Sequence, residues 1–230
     1  MSESALIVGT GPGLSASLAR LFAREGMAVA LAARDTGKLS GLAGETGAAV
    51  HDCDATDIDS VAALFEALDR TTGTPDIVVY NPSARVAGPI TDLDPVATRR
   101  AIEVTCFGAF LVARESARRM TGRGSGSLFF TGASAGVKGY PRSSVFAMGK
   151  FGLRGLCQAL ARELHPQGIH IGHFVIDGGI RAEHRPERRD TGDDRMLDPD
   201  AIAETYLHVH RQHRSSWAWE IELRPWLETF

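Results

Sequence analysis

The sequence predicts a doubly wound α/β fold, in which helices cover both faces of a parallel sheet and form three layers. Short apolar runs alternate strictly with longer amphipathic segments, and a Gly-rich turn joins the first run to the first amphipathic segment. Continuous apolar strands are typical of parallel sheets that are covered on both faces. No repeat or linker divides the chain, so we expect one Rossmann-type domain over residues 1–230.

The strands follow the apolar runs in order. They are predicted at residues 5–8, 28–33, 48–52, 77–80, 128–131, 169–176 and 219–223. The helices follow segments whose apolar residues recur every three or four positions. They are predicted from Leu14 to Gly26, around Val61 to Leu68, in a long segment ending near Met120, and at residues 146–164 and 201–210. This strict alternation predicts parallel pairing throughout the sheet.

One segment interrupts the alternation. Residues 181–195 carry charges of both signs and almost no apolar side chains, directly after a predicted strand. Ligands bind at the carboxyl ends of strands in open parallel sheets, so a mobile lid over residues 181–198 is one interpretation. An ordinary solvated loop is the other.

Composition narrows the classes of partner. The 230 residues carry a formal charge of −3 without a basic run, so we expect a small-molecule substrate rather than nucleic acid or a membrane surface. Cys53, Cys106 and Cys157 are odd in number and widely spaced, which favours buried free thiols and a cytoplasmic location. No signal peptide or membrane span is expected.

The turn after the first strand reads Gly9-Thr10-Gly11-Pro12-Gly13, and Leu14 opens the helix that follows. Glycines at such a turn let the backbone approach a pyrophosphate held at the helix N-terminus. The alternative is a tight turn that needs glycine for its geometry only. The turn therefore predicts a dinucleotide site without establishing it.

These motifs, taken together, resemble the short-chain dehydrogenase/reductase family over nearly the whole chain, with alterations. Residues 8–15 are similar to its Thr-Gly-x-x-x-Gly-x-Gly motif, with Ser15 in place of the last glycine. Asp54-Ala55 resembles its Asp-Val, and Asn81 matches one residue of its Asn-Asn-Ala-Gly. Residues 177–180 stand where it has Pro-Gly-x-Ile. The resemblance implies that the cofactor meets the following residues: Gly9, Gly11, Gly13, Leu14, Asp54, Ala55, Asn81, Lys150, Gly178 and Ile180.

The catalytic positions depart further from the family pattern. Phe146 and Lys150 have the Tyr-x-x-x-Lys spacing, but a plain ring replaces the phenol, and Ala133 stands thirteen positions upstream where the family has Ser. Thr105 occupies the position of a catalytic Asn, so Lys150 alone is retained. Tyr140 is a candidate replacement acid, and its alternative role is an ordinary loop aromatic.

Cofactor choice follows from the end of the second strand, Ala33-Arg34-Asp35. An acidic residue at position 33 would favour the free 2′-hydroxyl of NAD(H), whereas the Arg34 guanidinium suits a 2′-phosphate. We therefore expect NADP(H) in preference to NAD(H). The alternative is a solvated Arg34 beside an Asp35 that caps the next helix.

The sequence supports two functions. One is an NADP(H)-dependent oxidoreductase with a non-standard site that acts on an unidentified carbonyl or alcohol. The other is a catalytically inactive relative that binds NADP(H) as a sensor or as a subunit of an oligomer. Residues 132–136 match the Gly-x-Ser-x-Gly of hydrolases, but the loop residues that follow argue against a nucleophile elbow.

Metal chemistry is not expected. His208 and His210 are two apart on a predicted helix, we expect both at the surface, and no Cys-x-x-Cys or His-Glu-x-x-His motif is present. The family resemblance implies a homodimer or homotetramer built on the long helix before Met120 and the helix after Phe146. Three tryptophans, Trp217, Trp219 and Trp226, are expected in the core or in subunit contacts.

Overall fold

A computed structural model describes residues 2–189 and 192–228 of the chain. Seven strands form one sheet in the order β3-β2-β1-β4-β5-β6-β7, and every neighbouring pair is parallel. The strands are β1 Ser4–Val8, β2 Ala28–Ala33, β3 Ala49–Asp52, β4 Ile77–Tyr80, β5 Gly126–Thr131, β6 Ile169–Ile176 and β7 Glu220–Leu223. The predicted fold class is confirmed, and the strand order reverses between β1 and β4.

Helices cover both faces of this sheet. They are α1 Leu14–Arg24, α2 Ser40–Thr46, α3 Ile58–Asp69, α4 Pro95–Ile102, α5 Gly108–Arg123, α6 Ser144–Leu164 and α7 Pro199–His210. One core, which includes Phe65 and Leu153, lies between the sheet and α3, α5 and α6. The other, which includes Phe22 and Tyr206, lies under α1 and α7. The cores leave the carboxyl ends of β1 and β4 free of a covering helix, where a site can form.

Aspartates set the start of three helices. Asp57 caps α3 by accepting a hydrogen bond from the Ser60 amide at 2.7 Å, and Asp94 and Asp198 cap α4 and α7 in the same way. Proline stands at the first position of both α4 and α7, where its missing N–H costs nothing. Helix α7 therefore begins at Pro199, two residues before the predicted start at residue 201, because this proline is the first residue of the helix.

The long helix before Met120 was predicted as one element and is divided into three. A π-helical turn, Glu103–Phe107, separates α4 from α5. The Tyr80 hydroxyl donates to the Val104 carbonyl at 2.5 Å, so this carbonyl is bonded to the sheet at the point where the helix widens. Helix α2 was not predicted, because its Gly41 and Gly44 give no apolar period.

Two further expectations concern single side chains. His208 is exposed as expected, but His210 is mostly buried, and its Nδ1 lies 2.8 Å from the Ser127 hydroxyl. The last turn of α7 packs over the start of β5, which sequence spacing does not reveal. Of the tryptophans, Trp217 stacks on the His170 ring and Trp226 is 78% exposed.

The three cysteines are free thiols. Cys53 and Cys157 are buried, and Cys106 is half-buried. Their placement suits a reducing compartment, and the cytoplasmic location stays a prediction. Among the described residues, no helix has both the length and the apolar character that a bilayer crossing requires.

Candidate active site

Two adjoining cavities lie along the carboxyl edge of the sheet, where β1 and β4 diverge. The inner cavity, about 500 Å³, is enclosed by the start of α1, the end of β5, α6 and residues 178–188. The outer cavity, about 430 Å³, lies over the ends of β2 and β3. Both are lined by Pro12, Asn81 and Ser83, so together they form one groove across the switch point of the sheet.

The predicted binding residues divide between the two cavities. The outer cavity is lined by Gly9, Gly11, Arg34, Asp54, Ala55 and Asn81. The inner cavity is lined by Gly13, Leu14, Asn81, Ala133, Phe146, Lys150, Gly178 and Ile180. The fold therefore brings these positions, which are up to 171 residues apart in the numbering from Gly9 to Ile180, onto the walls of one groove.

The Gly-rich turn forms the floor of the groove. Gly9 has φ +80°, and a Cβ there would lie 2.5 Å from the Pro82 ring, whereas Gly13 has φ +101° and open space above it. Ser15, in place of the family's last glycine, donates to the Gly9 carbonyl at 3.2 Å and accepts from Asn81 Nδ2 at 2.6 Å. The turn is thus fixed to the end of β4, and the positive N-terminus of α1 faces the inner cavity.

Charges of both signs line the outer cavity. Arg34 follows β2 and is exposed, and within the described part of the chain no carboxylate lies within ion-pair distance of it. Asp35 makes no helix cap and instead pairs with Lys38 at 2.7 Å. The cap assigned to Asp35 in the alternative interpretation of this segment is therefore not formed.

Asp54 is held by a neighbour that the sequence did not indicate. Its carboxylate accepts from the Thr56 amide and hydroxyl, at 2.9 and 2.7 Å, and from Arg100 of α4 at 2.8 Å. Partial desolvation alone would raise the pKa of Asp54, but the hydrogen bonds from Thr56 and Arg100 outweigh it and hold the pKa below its usual value. Arg100 is 46 positions away, and no spacing rule connects the two residues.

Lys150 brings a buried amine to the wall of the inner cavity. Its side chain is buried, and Nζ donates to the Thr131 carbonyl at the end of β5 at 2.6 Å. The Thr131 hydroxyl lies 2.9 Å from that of Tyr206, so α7 helps to fix this carbonyl. Burial, with a smaller contribution from the positive charge of Arg85, lowers the pKa of Lys150 to about 7. A proton on Nζ is therefore easily given up and regained near neutral pH.

Neither Phe146 nor Ala133, which line the inner cavity with Lys150, carries a hydroxyl. Phe146 lies one helical turn earlier, with Lys150 Nζ 5.7 Å from its ring centroid, and Ala133 closes the same wall. Ser134–Gly136 forms a single 3-10 turn, and α6 begins only at Ser144. The Gly-x-Ser-x-Gly match is therefore not followed by the helix that a nucleophile elbow requires.

Arg85 is a site residue that sequence reasoning missed. Its guanidinium carbon lies 3.9 Å from the centroid of the Phe146 ring, in a cation–π stack. Thr105, the predicted Asn position, is buried outside both cavities, and its hydroxyl accepts from the Ala84 amide at 3.1 Å. Thr105 therefore fixes the loop that carries Arg85. The sequence signal that could have pointed to Arg85 was its position shortly after the end of β4, at the edge of the sheet where ligands bind.

Tyr140, the candidate acid, lies away from the groove. Its ring is 42% exposed, stands 5.7 Å from Lys138 Nζ, and lines neither cavity. The structure therefore does not bring Tyr140 to Phe146 and Lys150.

The predicted lid, residues 181–198, includes two positions outside the described residues. Its ends are held: Ile180 pairs with Leu197 in a parallel bridge, and Arg181 pairs with Asp198 at 2.8 Å. The outer wall of the inner cavity is formed by Arg181, Ala182, His184, Arg185 and Arg188. A lid has to lie beside the cavity in this way, and the motion of the segment stays a prediction.

Comparison with known proteins gives the family. A family model described as short chain dehydrogenase matches residues 3–192. The chain belongs to the short-chain dehydrogenase family. It is 32% identical over 177 residues to cis-4-hydroxycyclohexanecarboxylate dehydrogenase of Sinomonas cyclohexanicum, covering 73% of this chain and 69% of that one.

Two solved structures share the fold. A short-chain dehydrogenase from Rhodopseudomonas palustris is 33% identical, with a TM-score of 0.85 over 97% of this chain and 99% of that one. A metagenomic short-chain oxidoreductase in complex with NADP is 24% identical, with a TM-score of 0.84 over 99% of each chain. The protein is thus an oxidoreductase of the short-chain dehydrogenase family, with a fold that binds a nucleotide cofactor.

The residues present fit such a cofactor. The open space above Gly13 at the N-terminus of α1 suits a pyrophosphate. From there the groove extends into the inner cavity on one side and into the outer cavity on the other. Lys150 and Asn81 would hold its inner half, and Arg34 and Asp54 its outer half. Within the described residues, no group of three His, Cys, Asp or Glu side chains is placed to hold a metal ion.

Proposed function

We propose that this protein is an NADP(H)-dependent oxidoreductase that interconverts a carbonyl and an alcohol in a site without the family's Ser and Tyr hydroxyls. One observation carries the proposal: a single groove has the exposed Arg34 at its outer end and the buried Lys150 at its inner end. Support comes from the related oxidoreductase that holds NADP and from the relative whose name gives an alcohol substrate.

Lys150 performs the proton chemistry in this proposal. When bound, NADPH supplies the hydride that the carbonyl carbon receives. The Lys150 ammonium polarises the carbonyl oxygen and gives it a proton, so that this oxygen becomes the hydroxyl of the alcohol product and the lysine becomes a neutral amine. A pKa of about 7 suits a general acid at neutral pH, because both protonation states are populated. The apolar Phe146 and Ala133 keep water from competing for the ammonium.

Arg34→Ala tests the cofactor assignment. We expect NADPH affinity to fall about 10- to 100-fold and NADH affinity to change less than threefold, because a charge-assisted hydrogen bond to the 2′-phosphate is lost. Calorimetric titration of the parent and the variant with each cofactor measures both constants. Arg24→Ala, at the far end of α1, is the control that removes one charge outside the groove.

Titration of the parent with NADPH and NADH tests both the preference between the two cofactors and whether either of them binds. Tight NADPH binding with weak NADH binding supports the proposal. Equal affinities in the parent would reject the role of Arg34, and no binding of either cofactor by folded protein would reject the oxidoreductase proposal and its sensor alternative together.

The second candidate function is an inactive relative that binds NADP(H). It is favoured by the absence of a hydroxyl on either Phe146 or Ala133, the two side chains that share the cavity wall with Lys150. Every binding residue of the groove serves this candidate equally well. Introducing both hydroxyls separates the two functions, as described in the Discussion.

An exposed apolar patch supports the proposal of a homo-oligomer. Phe107 and Phe110, at the junction of the π turn and α5, are 41% and 44% exposed, and Met148 and Phe151 of α6 are 55% and 44% exposed. Patches of this kind mark protein contacts more often than free surface. They lie on the two helices that the family resemblance assigns to a dimer or tetramer, so a second copy of this chain is the proposed partner.

The double variant Phe110→Asp/Phe151→Asp is expected to sediment as a monomer at micromolar concentration, whereas the parent sediments as a dimer or tetramer. Two charges in a buried apolar contact cost several kcal/mol, on the order of the whole association energy. Sedimentation velocity measures the masses. Ile58→Asp changes an exposed apolar residue at the start of α3 and is expected to leave the parent mass unchanged. A monomeric parent would reject the oligomer.

A further inference from the structure

The inner cavity is cationic. Its lining includes Arg85, Lys150, Arg181, Arg185 and Arg188 and, among the described residues, no Asp or Glu. Arg181 is paired with Asp198. For the other three arginines, the described part of the chain places no carboxylate within 4.0 Å. Positive charge therefore faces the cavity without compensation from the residues that form it.

The three arginines, Arg85, Arg185 and Arg188, are called the arginine trio below. They come from two separate parts of the chain: Arg85 from the loop after β4, and the other two from the segment after β6. Glu183 and Glu187 of that segment are exposed and do not line the cavity. These two carboxylates thus lie outside the cavity that Arg185 and Arg188 line.

Arg85 lies close enough to the other two arginines of the trio to feel their positive charge. Desolvation lowers the pKa of Arg85, and the charges of Arg188 and Arg185 lower it further. Bringing like charges to one cavity is unfavourable unless a negative group joins them. Guanidinium groups match carboxylate and phosphate oxygens in a planar, bidentate geometry, so they suit such a group well.

We infer that the arginine trio binds an anionic group, a carboxylate or a phosphate, on the substrate. The inference deepens the proposed function and rests on it, because the reacting carbonyl of the same molecule must face Lys150. The stack of Arg85 on the Phe146 ring holds one guanidinium at the reacting end of the groove. The 2′-phosphate position proposed at Arg34 lies in the outer cavity, away from the trio. The pyrophosphate position proposed at Gly13 lines the same inner cavity as the trio, so the test has to distinguish a substrate anion from the cofactor's pyrophosphate.

Two matched pairs of probes test the inference. One pair is 4-oxocyclohexanecarboxylate with its methyl ester, and the other is dihydroxyacetone phosphate with dihydroxyacetone. Each is titrated calorimetrically into full-length protein saturated with NADP⁺, which cannot reduce a ketone, so that binding is measured without turnover. The pair with the larger ratio of affinities identifies carboxylate or phosphate as the preferred anion.

We expect the charged member of at least one pair to bind about tenfold or more tightly than its neutral partner. Arg85→Ala and Arg188→Ala, made separately, are each expected to remove most of this ratio while NADP⁺ still binds. Arg70→Ala, after the exposed end of α3, removes the same charge elsewhere and is expected to keep the ratio. Because Arg188 lies in a surface segment outside both cores, its variant tests the inference even if Arg85→Ala fails to fold.

Other outcomes overturn the inference. Equal affinities within both pairs would do so, as would a ratio that both variants retain. The charged probes could also bind the unliganded protein and fail to bind once it is saturated with NADP⁺. That result would assign the trio to cofactor phosphates instead. If the parent does not bind NADP⁺, the proposed function fails, and the same ratios measured on unliganded protein decide the anion preference by the same criteria.

Discussion

Lys150→Met is expected to lower carbonyl reduction by two to four orders of magnitude, the usual contribution of a general acid. The same change is expected to stabilise the cofactor-free protein near pH 7, because methionine fills the buried volume without a charge to desolvate. The lost hydrogen bond to the Thr131 carbonyl, 2.6 Å in the parent, offsets part of this gain. Steady-state rates with NADPH and thermal unfolding of both proteins measure the two effects.

The stability difference depends on pH in a defined window. The pKa of Lys150 is about 7 in the folded protein and about 10.5 in the unfolded chain. Between these values the unfolded chain holds a proton that the folded protein has lost, so the parent's free energy of unfolding rises with pH. The advantage of Lys150→Met is therefore largest below pH 7 and declines as the pH increases towards 10.5.

Lys38→Met provides the matched control for stability. Its side chain is 79% exposed, so we expect the stability difference from the parent to be nearly independent of pH. Subtracting variant from parent cancels the other titrating groups, which both proteins share. If the free energy of unfolding differed between the parent and Lys150→Met by the same amount from pH 6 to 10, the lowered pKa assigned to the buried Lys150 would be wrong. Undiminished reduction by Lys150→Met would reject its role as the acid.

On an inactive parent, Ala133→Ser/Phe146→Tyr is expected to raise carbonyl reduction by at least about two orders of magnitude, since a general acid and an oxyanion donor each contribute about that much. A parent in which Lys150 already supplies the acid is expected to gain little from the same change. The centroid of the present Phe146 ring lies 3.9 Å from the Arg85 guanidinium carbon and 5.7 Å from Lys150 Nζ, so a tyrosine that keeps this ring position would have both groups near its ring. Both positive charges lower the pKa of a phenol. The rate is measured against a panel of carbonyl compounds with NADPH.

The outcome separates the two candidate functions. A parent without detectable reduction and an active double variant would identify an inactive relative that binds the cofactor. Activity in the parent that the new hydroxyls leave unchanged would show that Lys150 already supplies the acid. Ile58→Tyr, which adds a phenol at an exposed position at the start of α3 outside both cavities, is expected to leave the rate of the parent unchanged.

Sequence periodicity predicted the sheet closely because strands and helices bury different patterns of side chains. Ile169–Ile176 is buried at every position, as expected for a central parallel strand. The long helix was predicted without its π turn, which contains the Val104 carbonyl that accepts a hydrogen bond from Tyr80, 24 residues earlier. Such a long-range contact leaves no trace in the local apolar period. Helix α2 was missed for want of an apolar period, and the last turn of α7 buries a His210 that we expected at the surface.

The sequence alone determined the fold, the glycine turn and the positions of Arg34 and Lys150, since each depends on local pattern or on the end of a strand. Only the tertiary structure decided which side chains meet in the groove. Arg85 over Phe146 and Arg100 on Asp54 join loops and helices distant in the chain, and Tyr140 is excluded from the groove by the path of its loop. Long-range side-chain contacts follow from how elements pack, and local residue patterns do not encode that packing.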